Sequence, residues 1–246
     1  MDTKDNETVD DLIKEGLRVI QARRGYRFSL DAVLLAGFVT VLPGDLVCDL
    51  GAGSGVISIL LAQREKTCRV KALELQESLW DRAVRSVQLN RLQDRIEVTR
   101  GDIRRIEEKF SPQEFDVVVA NPPFWEVGKG RLSANPEVAL ARHELAVTLR
   151  DIIVAASWAL KRGGRLALIH RASRLDEIVQ LAEQCRIPVK RMRAVYPYRQ
   201  RPANLVLIEG IKEAKRGLEI LPPLVVYEED GRYTGEIMHL YYGEEA

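Results

Sequence analysis

Four short apolar runs, separated by longer stretches of helical periodicity, limit this chain to few architectures. The runs are LVCDL (46–50), CRVKALEL (68–75), RIEVT (95–99) and FDVVVA (115–120). A strand covered on both faces reads as a continuous apolar run rather than an alternating one. Between the runs, Val56–Arg64 and Gln76–Leu92 have helical spacing. Strand and helix in alternation require crossover units and a mainly parallel sheet. The alternation continues with a helix capped by Thr148 that stops before Gly163-Gly164, a strand RLALIH (165–170) and a helix from Leu175 to Gln184. It then breaks, because VKRMRAVYP (189–197), ANLVLIEG (203–210) and LPPLVVYEE follow one another as strands. Such an ending predicts an antiparallel edge hairpin. At the other end, Leu12, Ile13, Leu17 and Ile20 have the spacing of an amphipathic helix over 11–24, and Ser29 with Asp31 starts a second helix. The expected fold is α/β: a doubly wound, mostly parallel seven-stranded sheet with an antiparallel C-terminal edge hairpin. It forms one domain, 1–246, with an N-terminal helical extension at 1–42 and a core at 43–246.

Composition narrows the function classes. The chain of 246 residues has a net charge of +1, so only the local distribution of charge can point to a polyanionic partner. No apolar stretch approaches the length of a membrane span, and the acidic, polar start MDTKDNETVD is not a secretory signal. A cytoplasmic location is expected. Cys48, Cys68 and Cys185 have no paired spacing, and His143, His170 and His239 do not cluster, so neither a disulfide framework nor a metal site is expected.

The first run ends in Asp49-Leu50-Gly51-Ala52-Gly53-Ser54-Gly55. Glycines at such a bend permit positive φ and let a ligand touch backbone, and open parallel sheets bind cofactors at this edge. A dinucleotide pattern would need glycine where Val56 stands, and Asp49 would repel a pyrophosphate. An acid there suits a cofactor that carries positive charge. Glu74 ends the second strand, where a carboxylate can take both ribose hydroxyls. Asp102 follows the third strand and could accept from an adenine amino group. These three acids match the amino acid, ribose and adenine of S-adenosyl-L-methionine in order, although each taken singly also fits a helix cap or an ordinary turn.

The fourth run leaves the sheet through Asn121-Pro122-Pro123-Phe124-Trp125. Prolines fix their own φ, hold the preceding residue extended and bring no N–H. The corner therefore offers acceptors, the Asn121 side-chain oxygen and the Pro122 carbonyl. A planar amino group could donate to both, with Phe124 stacked on its ring system. The plain reading of the same residues is a rigid turn with two core aromatics.

From Gln184 to Ile208 the chain has no acidic residue. It has Arg186, Lys190, Arg191, Arg193, Arg199 and Arg201, interleaved with Tyr196 and Tyr198. Basic side chains meet phosphates and tyrosines stack on unpaired bases. Lys129 and Arg131 follow the proline corner. This distribution points to RNA, while a charged edge strand is the simpler structural explanation.

DLGAGSGVISIL, LELQES, GDI and NPPF together resemble the N-methyltransferases of the Rossmann-like class I S-adenosyl-L-methionine-dependent fold. RGYRFSLDAVLLAGFV (24–39), residues 141–171 and the ending PPLVVYEEDGRYTGEIMHLYYG are similar to the bacterial tRNA1(Val) (adenine-37-N6)-methyltransferase family. The resemblance implies that Asp49, Gly51, Ala52, Gly53, Ser54, Gly55, Glu74, Leu75, Asp102, Ile103 and Asn121 hold the cofactor. Asn121, Pro122, Pro123 and Phe124 would hold the target amine. Phe28, Lys129, Arg131, Lys190, Arg191, Arg193, Arg199 and Arg201 would contact substrate. Two other targets fit the same corner, a protein glutamine amide and the N2 amine of guanine in ribosomal RNA, as does a non-catalytic module that keeps the fold.

Overall fold

The computed structural model describes residues 4–13, 16–25, 27–122 and 147–242. The four apolar runs form adjacent parallel strands: β3 (Leu46–Leu50), β4 (Arg69–Glu74), β5 (Ile96–Arg100) and β6 (Phe115–Ala120). Alternate residues of β6 face opposite ways. Val117 and Val119 join one apolar cluster, and Val118 and Ala120 the other. Both faces of β6 are thus covered, which is why it reads as a nearly unbroken apolar run, whereas β5 at the sheet edge is buried only at Ile96.

Helices α1 (Leu30–Phe38) and α2 (Val56–Arg64) pack on one face, and α4 (Leu149–Ala159) and α5 (Leu175–Gln184) on the other. α3 (Glu77–Leu89) is the crossover between β4 and β5. Thr148 and Asp151 form a reciprocal capping box at the start of α4, as the sequence predicts. At α1, by contrast, the Ser29 hydroxyl donates to Asp31 Oδ2 at 2.7 Å and caps no backbone group.

The sheet continues through β7 (Leu160–Arg171), β9 (Leu205–Ile211) and β8 (Val189–Tyr198), with β9 antiparallel to both neighbours. The full order is β10-β8-β9-β7-β6-β3-β4-β5, and β11 also pairs with β8. The expected antiparallel hairpin is β8 with β9. The sheet has nine strands rather than seven, because β10 (Glu219–Ile220) and β11 (Leu224–Tyr227) both add to β8 in parallel. Pro222 and Pro223 separate them, since proline cannot donate to a ladder. β8 is parallel to β7, so the C-terminal ends of β3 to β8, β9 excepted, lie along one edge.

Residues 11–24 differ from expectation. Among the described residues, 11–13 and 17–22 belong to an antiparallel hairpin of β1 (Glu7–Ile13) and β2 (Leu17–Ala22), not a helix. Gly16, at φ +74°, makes the turn that divides the apparent helical stripe. The outer edge of β2 is satisfied by α3. Ser86 Oγ accepts from Ile20 N at 2.9 Å, and Asn90 Oδ1 accepts from Arg18 N at 2.9 Å. Arg85 of α3 pairs with Glu7 at 2.5 Å and Asp81 at 2.6 Å. Tertiary contacts of this kind override helical spacing.

Ser86→Ala leaves a buried N–H of β2 without an acceptor. We expect a loss of about 1–3 kcal/mol, read as a lower urea midpoint at unchanged m-value, together with faster hydrogen exchange at the Ile20 amide. An unchanged midpoint would mean that α3 does not hold the hairpin.

Candidate functional site

β3 is followed in the sheet by β4 on one side and β6 on the other. The chain therefore switches direction between β3 and β6, and a crevice opens where their C-terminal ends diverge. Leu50 pairs with Leu73 of β4 and with Ala120 of β6. The glycine bend, the residues after Glu74 and the Asn121-Pro122 corner thus leave the sheet side by side.

Gly51, Gly53 and Gly55 have φ of +76°, +58° and +83°. Side chains with a Cβ rarely adopt these values, which is why the bend needs glycine. The amides of Gly51 and Ala52 donate to the Leu73 carbonyl at 2.8 and 3.1 Å. Gly53 N donates to Glu74 Oε2 at 2.8 Å, and Gln76 N donates to Glu74 Oε1 at 2.8 Å. One carboxylate thus clamps the glycine bend to the start of α3. Glu74 is 5% exposed, and burial pushes its pKa up to about 7. Each oxygen keeps a lone pair for a ligand hydroxyl. Leu75 next to it is exposed.

Asp49 is 0% exposed. Its Oδ2 accepts from Ser58 Oγ at 2.6 Å, while Oδ1 has no partner, and burial raises its pKa to about 6. Ser54 Oγ is likewise buried without a partner. A buried acid and a buried orphan hydroxyl on the same glycine bend, with no protein cation against the acid, fit a ligand that brings positive charge and N–H donors. These residues therefore fit S-adenosyl-L-methionine. Ser58 was missed in the sequence because a serine in the first turn of a helix looks ordinary. Its position nine residues after Asp49 was the available signal.

Gly101 N donates to the Glu74 carbonyl at 3.0 Å, which brings the third loop into line. Asp102 is engaged by Arg104, whose amide donates to Oδ1 at 2.9 Å and whose guanidinium pairs at 2.5 Å. These hydrogen bonds hold its pKa below the usual range. The adenine amine expected there would share Asp102 with Arg104. Ile103 is buried beneath this loop.

The expected substrate residues separate. Phe28 packs against the core, and its amide donates to Gln21 Oε1 at 2.8 Å. The basic run does not present one continuous face. Arg191 donates to the Phe38 carbonyl at 2.6 Å and to Thr40 Oγ1 at 2.8 Å, and lies 4.7 Å from the Phe38 ring centroid. Together with Arg64 it satisfies carbonyls at the negative end of α1. Arg193 donates to the Pro222 carbonyl at 2.8 Å and pairs with Glu236 at 2.6 Å. Lys190 donates to the Lys215 carbonyl at 3.0 Å. Lys190, Arg191 and Arg193 thus serve the fold, and Arg199 and Arg201 stay exposed. Pro123, Phe124, Lys129 and Arg131 lie outside the described residues. Among the described residues no group of His, Cys, Asp and Glu could hold a metal, and no helix is long and apolar enough to cross a membrane.

Residues 31–186 match the family model of the methyltransferase small domain. A tRNA1(Val) (adenine(37)-N6)-methyltransferase of Porphyromonas gingivalis is 30% identical over 224 residues, which is 87% of this chain and 86% of that protein. One of Aeromonas hydrophila is 27% identical over 222 residues, 89% of each. Among solved structures, a predicted O-methyltransferase of Agrobacterium tumefaciens superposes with a TM-score of 0.70 at 26% identity, covering 88% of this chain and 97% of that chain. Geranyl diphosphate C-methyltransferase of Streptomyces coelicolor, at a TM-score of 0.53 and 14% identity over 74% of this chain and 78% of that one, shares the fold alone.

The raised acids set a pH dependence with opposite signs for stability and binding. In the unliganded protein the folded state keeps protons that the unfolded chain has lost. This contribution is present below the ordinary carboxylate range and is lost as pH rises through about 6 to about 7. A cationic ligand prefers the ionised acids, so its affinity rises over the same interval. Calorimetry with S-adenosyl-L-methionine from pH 5 to 7.5 should show that rise. Ser58→Ala should move the midpoint upward, because it removes a hydrogen bond that lowers the Asp49 pKa. A flat profile in the wild-type protein would remove Asp49 and Glu74 from the cofactor site.

Proposed function

The chain belongs to the methyltransferase small domain family and, with its Porphyromonas and Aeromonas relatives, to the tRNA1(Val) (adenine-37-N6)-methyltransferases; on that premise we propose that it methylates N6 of an adenine in tRNA. The protein is a methyltransferase whose cofactor, S-adenosyl-L-methionine, supplies when bound a methyl group on a positively charged sulfur. Asp49 Oδ1 and Ser54 Oγ would accept from its ammonium group, and Glu74 would take its ribose hydroxyls. Residues 43–246 act as the catalytic core. Residues 1–42, the hairpin with α1, extend it within one domain.

One observation carries the choice of an amino group as target. Ala120 pairs with Leu50, so Asn121 emerges from the sheet beside Gly51. Asn121 is half-buried and Pro122 is buried. Pro122 holds Asn121 extended and contributes no N–H. The corner therefore presents two acceptors, Asn121 Oδ1 and the Pro122 carbonyl. An exocyclic amino group has two N–H donors and can give one to each. Drawing both hydrogens out of the ring plane localises the nitrogen lone pair and stabilises the charge that develops on nitrogen. The same grip fixes the nitrogen toward the glycine bend, which removes the entropy of alignment. The product ammonium is acidic enough to lose its proton to water, so no general base has to act first. Phe124 is assigned from sequence to stack on the base.

A side-chain amide carries the same planar NH2, so a protein glutamine is the second reading. The exposed Arg199 and Arg201 at the same sheet edge favour RNA.

Labelled methyl from the cofactor is expected on purified tRNA, at N6 of adenine, and not on purified release factor. Label on protein alone would select the second reading. Asn121→Ala should lower turnover roughly 100-fold or more while cofactor affinity in calorimetry stays close to wild type. Undiminished turnover would discard the amine grip.

A further inference from the structure

β8 and β11 end in tyrosines that face each other. Tyr198 and Tyr227 are register partners, with ring centroids 5.4 Å apart. Tyr227 bridges to Tyr233, whose ring is stacked at 5.3 Å and 14°. Tyr233 stacks in turn on Tyr241 of α6 (Gly235–Tyr242) at 5.7 Å and 17°. Four rings thus form one ladder across three elements, and Tyr198 is its terminal rung, 38% exposed. Tyr198, Tyr227 and Tyr233 line a cleft of about 1590 Å³ that Arg199 and Arg201 also line. Neither arginine has an ion pair among the described residues. Arg201 N donates to the Tyr198 carbonyl at 3.0 Å, so a tight turn brings both arginines to the same cleft as the terminal ring.

The position of that ring matters. β8 runs parallel to β6 through β9 and β7, so Tyr198 ends at the sheet edge from which Asn121 also emerges. Three strand spacings, roughly 14 Å, separate them across the sheet, and Tyr198 lies five residues beyond the level of Asn121 along it, roughly 16 Å, so the two are on the order of 22 Å apart. That is about the rise of six stacked nucleotides of one strand. Tyr198, not Tyr241, stands on the Asn121 side of the ladder. The charges of the cleft are sorted the same way. Arg199 and Arg201 follow Tyr198 on the inner lip. Glu228, Glu229 and Asp230 follow Tyr227 on the outer lip, with Asp230 paired to Arg232 at 2.7 Å. A phosphate chain is drawn to the inner lip and repelled from the outer one.

We infer that Tyr198, Arg199 and Arg201 form a second contact for the RNA substrate: an unpaired base a few nucleotides from the target stacks on Tyr198 and continues the tyrosine ladder, while the two arginines hold its flanking phosphates. This rests on the tRNA reading given above. Aromatic platforms flanked by basic side chains bind unpaired strands with little sequence preference, so the contact sets affinity and reach, and the amine corner sets the atom methylated.

The test uses the full chain, an unmodified tRNA transcript and release factor. Tyr198→Ala should raise the Kd for the transcript roughly 5- to 100-fold and raise KM with little change in kcat. Cofactor affinity should stay at the wild-type value, and Tyr198→Trp should recover binding. Because Tyr198 also packs on Tyr227, the exposed pair Arg199→Gln with Arg201→Gln is measured alongside. It should lower the slope of log Kd against log salt by roughly 1 to 2 at unchanged melting temperature. Wild-type Kd in Tyr198→Ala together with an unchanged slope in the arginine pair overturns the inference while leaving the tRNA reading intact. Methyl transfer by the wild-type protein to release factor and not to tRNA overturns both.

Discussion

A single carboxylate ties the loops of the site together. Glu74 accepts from Gly53 N and Gln76 N, and its backbone carbonyl accepts from Gly101 N. Three segments that leave three different strands are thereby fixed around one buried residue. Removing a carboxylate from water costs several kcal/mol, and two charge-assisted hydrogen bonds offset part of that cost. The remainder appears as a pKa raised to about 7. Asp49, with one oxygen unpartnered, carries a similar burden. Two strained acids at adjacent strand ends are poor design for stability alone, and they are what a site for a cationic ligand requires.

The sheet makes this arrangement possible. Its central strands are covered on both faces, so their ends are held by two apolar clusters rather than by the loops. Loops on such a frame can adopt costly backbone, as Gly51, Gly53 and Gly55 do. The frame also fixes distances along the edge. Strand order and register decide that Asn121 lies one strand from the glycine bend, and that Tyr198 lies three strands across and five residues along from Asn121.

The sequence was legible where one element determines its own environment. β3 and β6 read correctly because burial on both faces leaves few polar residues, β4 and β5 because each is a short run set off by the helical segment before it, and α4 because Thr148 is a local cap. It was illegible where distant segments decide. Leu12, Ile13, Leu17 and Ile20 mimic a helical stripe, but Ser86 and Asn90 of α3 supply the partners that keep Leu17–Ala22 extended. Composition marked 184–208 as basic but could not say which guanidiniums the fold consumes. Arg191 is taken by the end of α1, about 150 residues earlier in the chain. In the site, Asp49 and Glu74 stood out as acids at strand ends and Ser54 came with the glycine bend, whereas Ser58, in the first turn of a helix, was passed over. Tyr198, Tyr227, Tyr233 and Tyr241 have no common period; sheet register pairs the first two, a bridge adds Tyr233, and the packing of the last helix adds Tyr241.

The charges sort the substrate by parts. The centre of the site is acidic, with Asp49 and Glu74 buried beneath the glycine bend. The lip at Arg199 and Arg201 is basic. A nucleic acid brought to the lip cannot carry its phosphates inward, because they would meet two carboxylates at low dielectric. The base is neutral and can enter once it leaves its stack, at a cost that is small for a nucleotide in a loop. At the corner, Asn121 and Pro122 offer acceptors, so an entering group that only accepts, such as a ring nitrogen or a carbonyl, gains nothing there. A group with two donors gains both hydrogen bonds. On the proposed reading, charge would select the part of the nucleotide that enters, and the acceptor pair the atom presented for methylation.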